Sequence, residues 1–197
     1  MFEPSTEELD PLKIASYLNN SELTNTSDNL SESDLSEATF NNKQLDALLV
    51  SALDEEQSEC LISLCEKSNT SLLCFENPSN DAAAVARVID NLMGKLQSHE
   101  MPNNIDVADL RNLSESGDLL FGFDNHSAAL DFLDAQNLGK VVGGVYLAHG
   151  TVELSQYEQA TNELLTRFPD SGYLCSSFYG AGLGQCTIVL SVKAVVV

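Results

Sequence analysis

The chain has 197 residues, 30 of them acidic and 9 basic, for a formal charge of −21. That length suits one large domain or two small ones, and 43% hydrophobic residues are enough to build a core. The charge argues against nucleic acid or anionic membrane as partner, because both are held by clustered Lys and Arg.

No stretch approaches the ~20 apolar residues of a spanning helix. The opening MFEPSTEELD lacks the basic and apolar regions of a signal peptide, so a cytoplasmic protein is expected. Cys60, Cys65, Cys74, Cys175 and Cys186 form no C-x-x-C pair and mostly sit among apolar residues. They read as reduced, buried thiols. His99, His126 and His149 show no metal-ligand spacing with them, so no metal, no cofactor and no catalytic thiol is expected.

In chain order, Leu12–Leu18 (LKIASYL) is a short apolar run, a strand or part of a short helix. Asn20–Asn42 is dominated by Ser, Thr, Asn and acids. It offers little apolar surface against an ordering cost of about 1–2 kcal/mol per residue, and reads as a linker or long loop. Leu45–Ala52 suits a buried strand, and Asp54–Lys67 an amphipathic helix with acids in its first turn. Ser71–Phe75 closes a parallel βαβ unit.

Helix Asp81–Gln97 follows, then the loop Met101–Asn104 and a short helix capped by Asp106, with Asp109 three residues on. The rest alternates: strand Asp118–Phe123, helix Ser127–Asn137, strand Val141–Ala148, helix Ser155–Phe168, strands Tyr173–Phe178 and Thr187–Val197. Gly143-Gly144 marks a bulge or close packing. The GAGLG run Gly180–Gly184 lies between two strands and reads as a hairpin turn, not a dinucleotide fingerprint. His149 reads as an ordinary loop histidine, and no G-x-S-x-G occurs.

The segment Asn104–Leu110 (NIDVADL), with SGDLLFG and VVGGVYLAHGTVELSQYEQATNELL after it, resembles the C-terminal half of FtsZ, the bacterial tubulin relative. Upstream, the order LDALLVSA, DEEQSECLISLCEK, TSLLCFENP and the helix Asp81–Gln97 resembles part of that family's GTPase domain. The resemblance covers residues 44–197. It implies an α/β fold: a reduced Rossmann-like βαβ remnant, then a two-layer domain with a mixed four-stranded sheet and helices on one face. The implied division is a polar segment 1–43, a nucleotide-domain remnant with central helix 44–103, and the C-terminal-like domain 104–197.

In the family, a glycine-rich loop after the strand matching LDALLVSA cradles the phosphates of GTP. This chain has Leu53-Asp54-Glu55-Glu56-Gln57-Ser58 there: no glycine, and three carboxylates, Asp54, Glu55 and Glu56, that repel phosphate. After LKIASYL, where the family has a glycine-rich turn, stands Asn19-Asn20-Ser21-Glu22. GTP binding in the family's manner is not expected, and neither is GTPase activity. Asn104, Asp106 and Asp109 do match the N-x-D-x-x-D spacing with which an FtsZ subunit reaches the GTP of its neighbour. The same two aspartates are equally explained as a helix cap. The resemblance therefore implies a non-catalytic FtsZ-like protein acting through contacts with FtsZ or with itself, in the first case modulating or capping filaments in cell division. A self-associating structural module is the alternative; a small-molecule-binding or enzymatic domain has the least support.

Overall fold

In the computed structural model, residues 11–18, 28–98, 104–135 and 139–194 are described. The strands are β1 (Ile14–Leu18), β2 (Ala47–Ser51), β3 (Ser71–Glu76), β4 (Leu119–Phe123), β5 (Lys140–His149), β6 (Tyr173–Tyr179) and β7 (Cys186–Lys193). The helices are α1 (Glu37–Lys43), α2 (Glu55–Ser68), α3 (Ala82–Gln97), α4 (Val107–Ser116), α5 (His126–Ala135) and α6 (Leu154–Leu165). All seven strands join one sheet in the order β1-β2-β3-β4-β7-β5-β6. Only β7 runs against the rest, pairing antiparallel with β4 on one side and β5 on the other.

Alternation along each strand sends side chains to two faces. On one face Ala47, Leu49, Leu73, Phe75, Leu120, Val145, Leu147 and Val189 pack against α3 and α4. On the other, Ala15, Tyr17, Leu48 and Val50 pack against α1 and α2, and Phe121, Tyr146, Ile188 and Leu190 against α5 and α6. Helix α3 is buried over most of its surface, with Val85, Val88, Ile89, Leu92, Met93 and Leu96 in the core and the polar Asp90, Asn91 and Lys95 buried as well. It touches β1, β2, β4 and β7, and so crosses most of the sheet's width. Gly94 lets it approach closely, since a Cβ there would collide with the Tyr179 hydroxyl.

The crossovers from β1 to β2, β2 to β3, β4 to β5 and β5 to β6 all step the same way and carry their described helices on one face. The β3-to-β4 crossover steps the same way over the opposite face. It therefore has the opposite hand to the other four. The β3–β4 seam is also the narrowest, with only Phe75↔Leu120 and Glu76↔Phe121 in register.

The α/β class holds, and β4, β7, β5 and β6 form the expected mixed four-stranded sheet. Several expectations need correction. That sheet is continuous with β1–β3, and helices cover both of its faces because α4 packs opposite α5 and α6. Part of the presumed linker is folded. Glu32–Asp34 forms a 3₁₀ turn, and Ser36 caps α1 by accepting from the Thr39 amide at 3.3 Å. The reason lies in topology and in a few apolar residues: parallel pairing of β1 with β2 needs a long crossover, and Leu30 and Phe40, at 3% and 1% exposure, anchor this one.

The Gly180–Gly184 run is not a hairpin, because β5 lies between β6 and β7 and the loop passes over its end. His149 is the last residue of β5 and is buried. Cys65 and Cys186 are buried as expected, whereas Cys60 and Cys74 are exposed. Cys74 lies on the same face as Val50, where it borders an open crevice beside the start of α2. The pairing of β5 with β7 slips between Val141 and Gly143, the irregularity expected at the paired glycines. The expectations for Asn19–Ser27, Met101–Asn103, Gln136–Asn137 and Val195–Val197 lie outside the described residues.

Candidate functional site

The carboxyl ends of parallel strands, where successive crossovers leave to opposite faces, are where open α/β sheets bind ligands. Here that condition is met on both sides of β3. The residues singled out from sequence lie at the two ends of this sheet.

At the carboxyl end of β2, Ala52 takes a left-handed backbone with φ of 56°, a conformation that favours glycine. Asp54 then caps α2. Its Oδ1 accepts from the Gln57 amide at 2.8 Å, and Gln57 Oε1 accepts from the Asp54 amide at 3.2 Å. Gln57 Nε2 also donates to the Tyr17 hydroxyl at 3.1 Å, tying the helix start to β1. The amides that greet an anion at a helix N-terminus are thus met by the chain's own carboxylate. Glu55 and Glu56 in the first turn are exposed. Burial, then the charges of Glu32 and Asp54, push the Tyr17 phenol up, keeping it neutral.

Asn104, Asp106 and Asp109 come together at the start of α4. Asp106 Oδ1 accepts from the Asp109 amide at 2.9 Å, and Asp109 Oδ2 accepts from the Asp106 amide at 3.0 Å. Ile105 before the cap and Leu110 in the next turn are both buried, a hydrophobic staple that fixes the chain's entry. Asn104 and Asp106 are exposed. One turn on, Arg111 Nε donates to the hydroxyl of Ser71, the first residue of β3, at 2.8 Å. The Asn104–Asp109 cluster and the Asp54–Glu56 cluster therefore sit at opposite ends of the strands. They do not converge on one site.

Two crevices flank the β3 end. One of about 400 Å³ lies towards β2 and includes Cys74, Glu76 and Asn80. The other, about 460 Å³, lies towards β4 over Phe123 and Phe132. The polar groups of the second are largely consumed internally. Asn77 bridges the Gly122 carbonyl and the Ser79 amide, Asp81 caps α3 at Ala84, and Arg87 bonds Asp124 at 2.7 Å. Asp81 was visible beforehand as a helix start, but neither crevice was.

A buried polar knot links α3 to the strand ends. Asn91 donates to the Leu183 carbonyl at 2.8 Å and to the Thr187 hydroxyl at 2.9 Å. His149 Nε2 lies 3.0 Å from the same hydroxyl, and its Nδ1 lies 3.3 Å from the Gly184 carbonyl. Burial lowers the His149 pKa, and the Gly184 carbonyl partly offsets that. Burial pushes the Cys65 and Cys186 thiols up to about 12, the opposite of an activated nucleophile. Among the described residues no group of three or more His, Cys, Asp or Glu could hold a metal ion, and no helix is long and apolar enough to cross a membrane.

The architecture is thus an α/β fold on a single mixed sheet. No family model and no curated protein matches the chain. Among solved structures it is similar to CetZ from Methanosaeta thermophila at 12% identity and a TM-score of 0.49, covering 93% of this chain and 62% of that one. It is also similar to an FtsZ variant from M. jannaschii at 12% identity and a TM-score of 0.36, covering 94% of this chain and 57% of that one. The chain spans about three-fifths of the length of either structure.

Proposed function

We propose that this chain acts through protein contacts and does not turn over nucleotide, engaging FtsZ-like filaments at one end. The observation that carries the reading is the asymmetry between the two capping boxes. At the carboxyl end of the strands, the Asp54 carboxylate occupies the helix terminus where a phosphate would dock. Glu55 and Glu56 add like charge, costing about 1 kcal/mol per phosphate–carboxylate pair at ~4 Å even in water. At the other end, Asn104 and Asp106 remain exposed on a loop pinned by Ile105 and Leu110. A subunit with one working end adds to a filament but accepts no successor, and so caps it.

Sedimentation of FtsZ with GTP, with and without this protein, is the test. A smaller pellet and altered GTP turnover are expected at substoichiometric ratios. An unchanged pellet with unchanged turnover refutes the reading. If light scattering then shows a salt-insensitive homodimer, self-association takes its place. Saturable micromolar binding of a fluorescent GTP analogue would overturn the non-nucleotide part on its own.

A further inference from the structure

A third cavity, of about 330 Å³, lies between α5, α6 and the sheet, away from both capping boxes. Its wall includes Tyr146, His126, Glu163, Gln185 and Cys186. Tyr146 is 5% exposed, with its ring stacked on Tyr157 at 5.8 Å. Among the described residues its hydroxyl has no hydrogen-bond partner. The hydroxyl itself is not sealed off, so it opens onto the cavity, where it is available to water or to a bound hydroxyl group. Burial raises its pKa to about 12, so it stays a neutral phenol and keeps its donor.

The other polar groups define what that partner must offer. Gln185 Oε1 accepts from the His126 amide at 3.1 Å, which leaves its Nε2 as a donor. His126 Nε2 lies 3.2 Å from the Ala160 carbonyl, which can only accept, so in the neutral ring Nε2 carries the proton and Nδ1 is an acceptor. Glu163 Oε2 lies 3.6 Å from that Nδ1, too far for a direct hydrogen bond, and adds a second acceptor. Donors and acceptors therefore both line the cavity. No Arg or Lys lines it to hold a carboxylate or phosphate.

We propose that this cavity binds a small, neutral, polyhydroxylated molecule of monosaccharide size. A hydroxyl both donates and accepts, so one class of group satisfies Tyr146 and Gln185 on one side and His126 and Glu163 on the other. The volume equals roughly eleven waters at ~30 Å³ each, enough for a single sugar ring. The chain's charge of −21 further disfavours an anion. The site is independent of the filament reading, and the outcome of either test leaves the other standing.

The test is an NMR titration of the full chain with a panel of glucose, mannose, ribose and inositol, following amide shifts at Gln185 and Cys186. Glucuronate and cyclohexanol serve as the anionic and apolar controls. At least one polyol is expected to saturate in the millimolar range, with both controls weaker. Tyr146→Phe removes only the unpaired hydroxyl. It is expected to leave thermal stability unchanged or raised while weakening binding about tenfold or more. Gln185→Ala, at an exposed position, is expected to weaken binding in the same direction and provides the readout if Tyr146→Phe fails to fold. No saturable shift up to tens of millimolar polyol, tighter binding of cyclohexanol, or wild-type affinity in the folded variants would each overturn the proposal.

Discussion

Replacing Asp54 separates two roles that one carboxylate fills. Asp54→Ala removes the acceptor for the Gln57 amide, while the backbone amide of residue 54 still donates to Gln57 Oε1 and the Gln57 bridge to Tyr17 is kept. Loss of an N-cap costs about 1 kcal/mol, within a range of 0.5–2. For a chain of this size that lowers the melting temperature by roughly 2–4 °C. Asp54→Asn keeps an acceptor of similar capping strength and removes only the charge, forfeiting the ~0.3–1 kcal/mol interaction with the helix dipole. Calorimetry or circular dichroism melts should therefore rank wild type above Asp54→Asn, and Asp54→Asn above Asp54→Ala. Neither variant should gain GTP binding, because removing the carboxylate does not supply a glycine-rich cradle. Equal stability of wild type and Asp54→Ala would refute the cap. GTP binding by Asp54→Asn would show that charge alone, not backbone shape, keeps the phosphates out.

Further expectations follow from the same structure. Because burial lowers the His149 pKa, the unfolded chain takes up its proton more readily than the folded one. This group's effect on stability is therefore flat at high pH and becomes destabilising as the pH falls below the ordinary value of 6.5. His149→Gln should flatten the stability–pH curve in that window, as read from urea melts at a series of pH values. Asp106→Ala should cost about 1 kcal/mol, whereas Asp106→Ser keeps a cap without a carboxylate; if the latter melts like wild type yet loses its effect on FtsZ pellets, the carboxylate serves a partner. Phe75→Ala, at a fully buried position beside the β3–β4 seam, should cost about 3–5 kcal/mol in chemical denaturation. Ala52→Gly relieves a left-handed backbone worth about 1–2 kcal/mol and gives part of that back in chain entropy, so a small rise in melting temperature is expected.

What could be read in advance was whatever is encoded within a few residues. Asp106 marks its helix as a cap because capping is a contact over three positions, and Asp54 and Asp81, expected as the first residues of their helices, prove to be caps too. The apolar run LDALLVSA marks a strand buried on both faces, whereas SLLCF marks a strand of which only Leu73 and Phe75 are buried and Cys74 is exposed. Features that depend on distant partners were not legible. His149 is in the core because Thr187 and Gly184 close over it and Asn91, from α3, holds Thr187 and Leu183 beside them. Asn20–Asn42 reads as a linker because few large apolar residues interrupt a polar stretch, and the value of Leu30, Leu35 and Phe40 depends on a sheet face the local sequence does not show. The Tyr146 cavity combines α5, α6, β5 and β7, and nothing in the spacing of its residues announces it.

The position of β7 has a consequence for the order of assembly. The last described strand of the chain fills the gap between β4 and β5, so neither can acquire its neighbour until residues 186–193 have been synthesised. Before then β1, β2 and β3 can zip together through their five-residue registers, while β4 holds to them by two register pairs. A nascent chain at that stage displays the open edges of β4 and β5 and the apolar underside of α3, the surfaces on which stray chains aggregate. The final eight-residue strand works as a closing wedge, and its removal should cost the cell far more soluble protein than the loss of eight residues elsewhere.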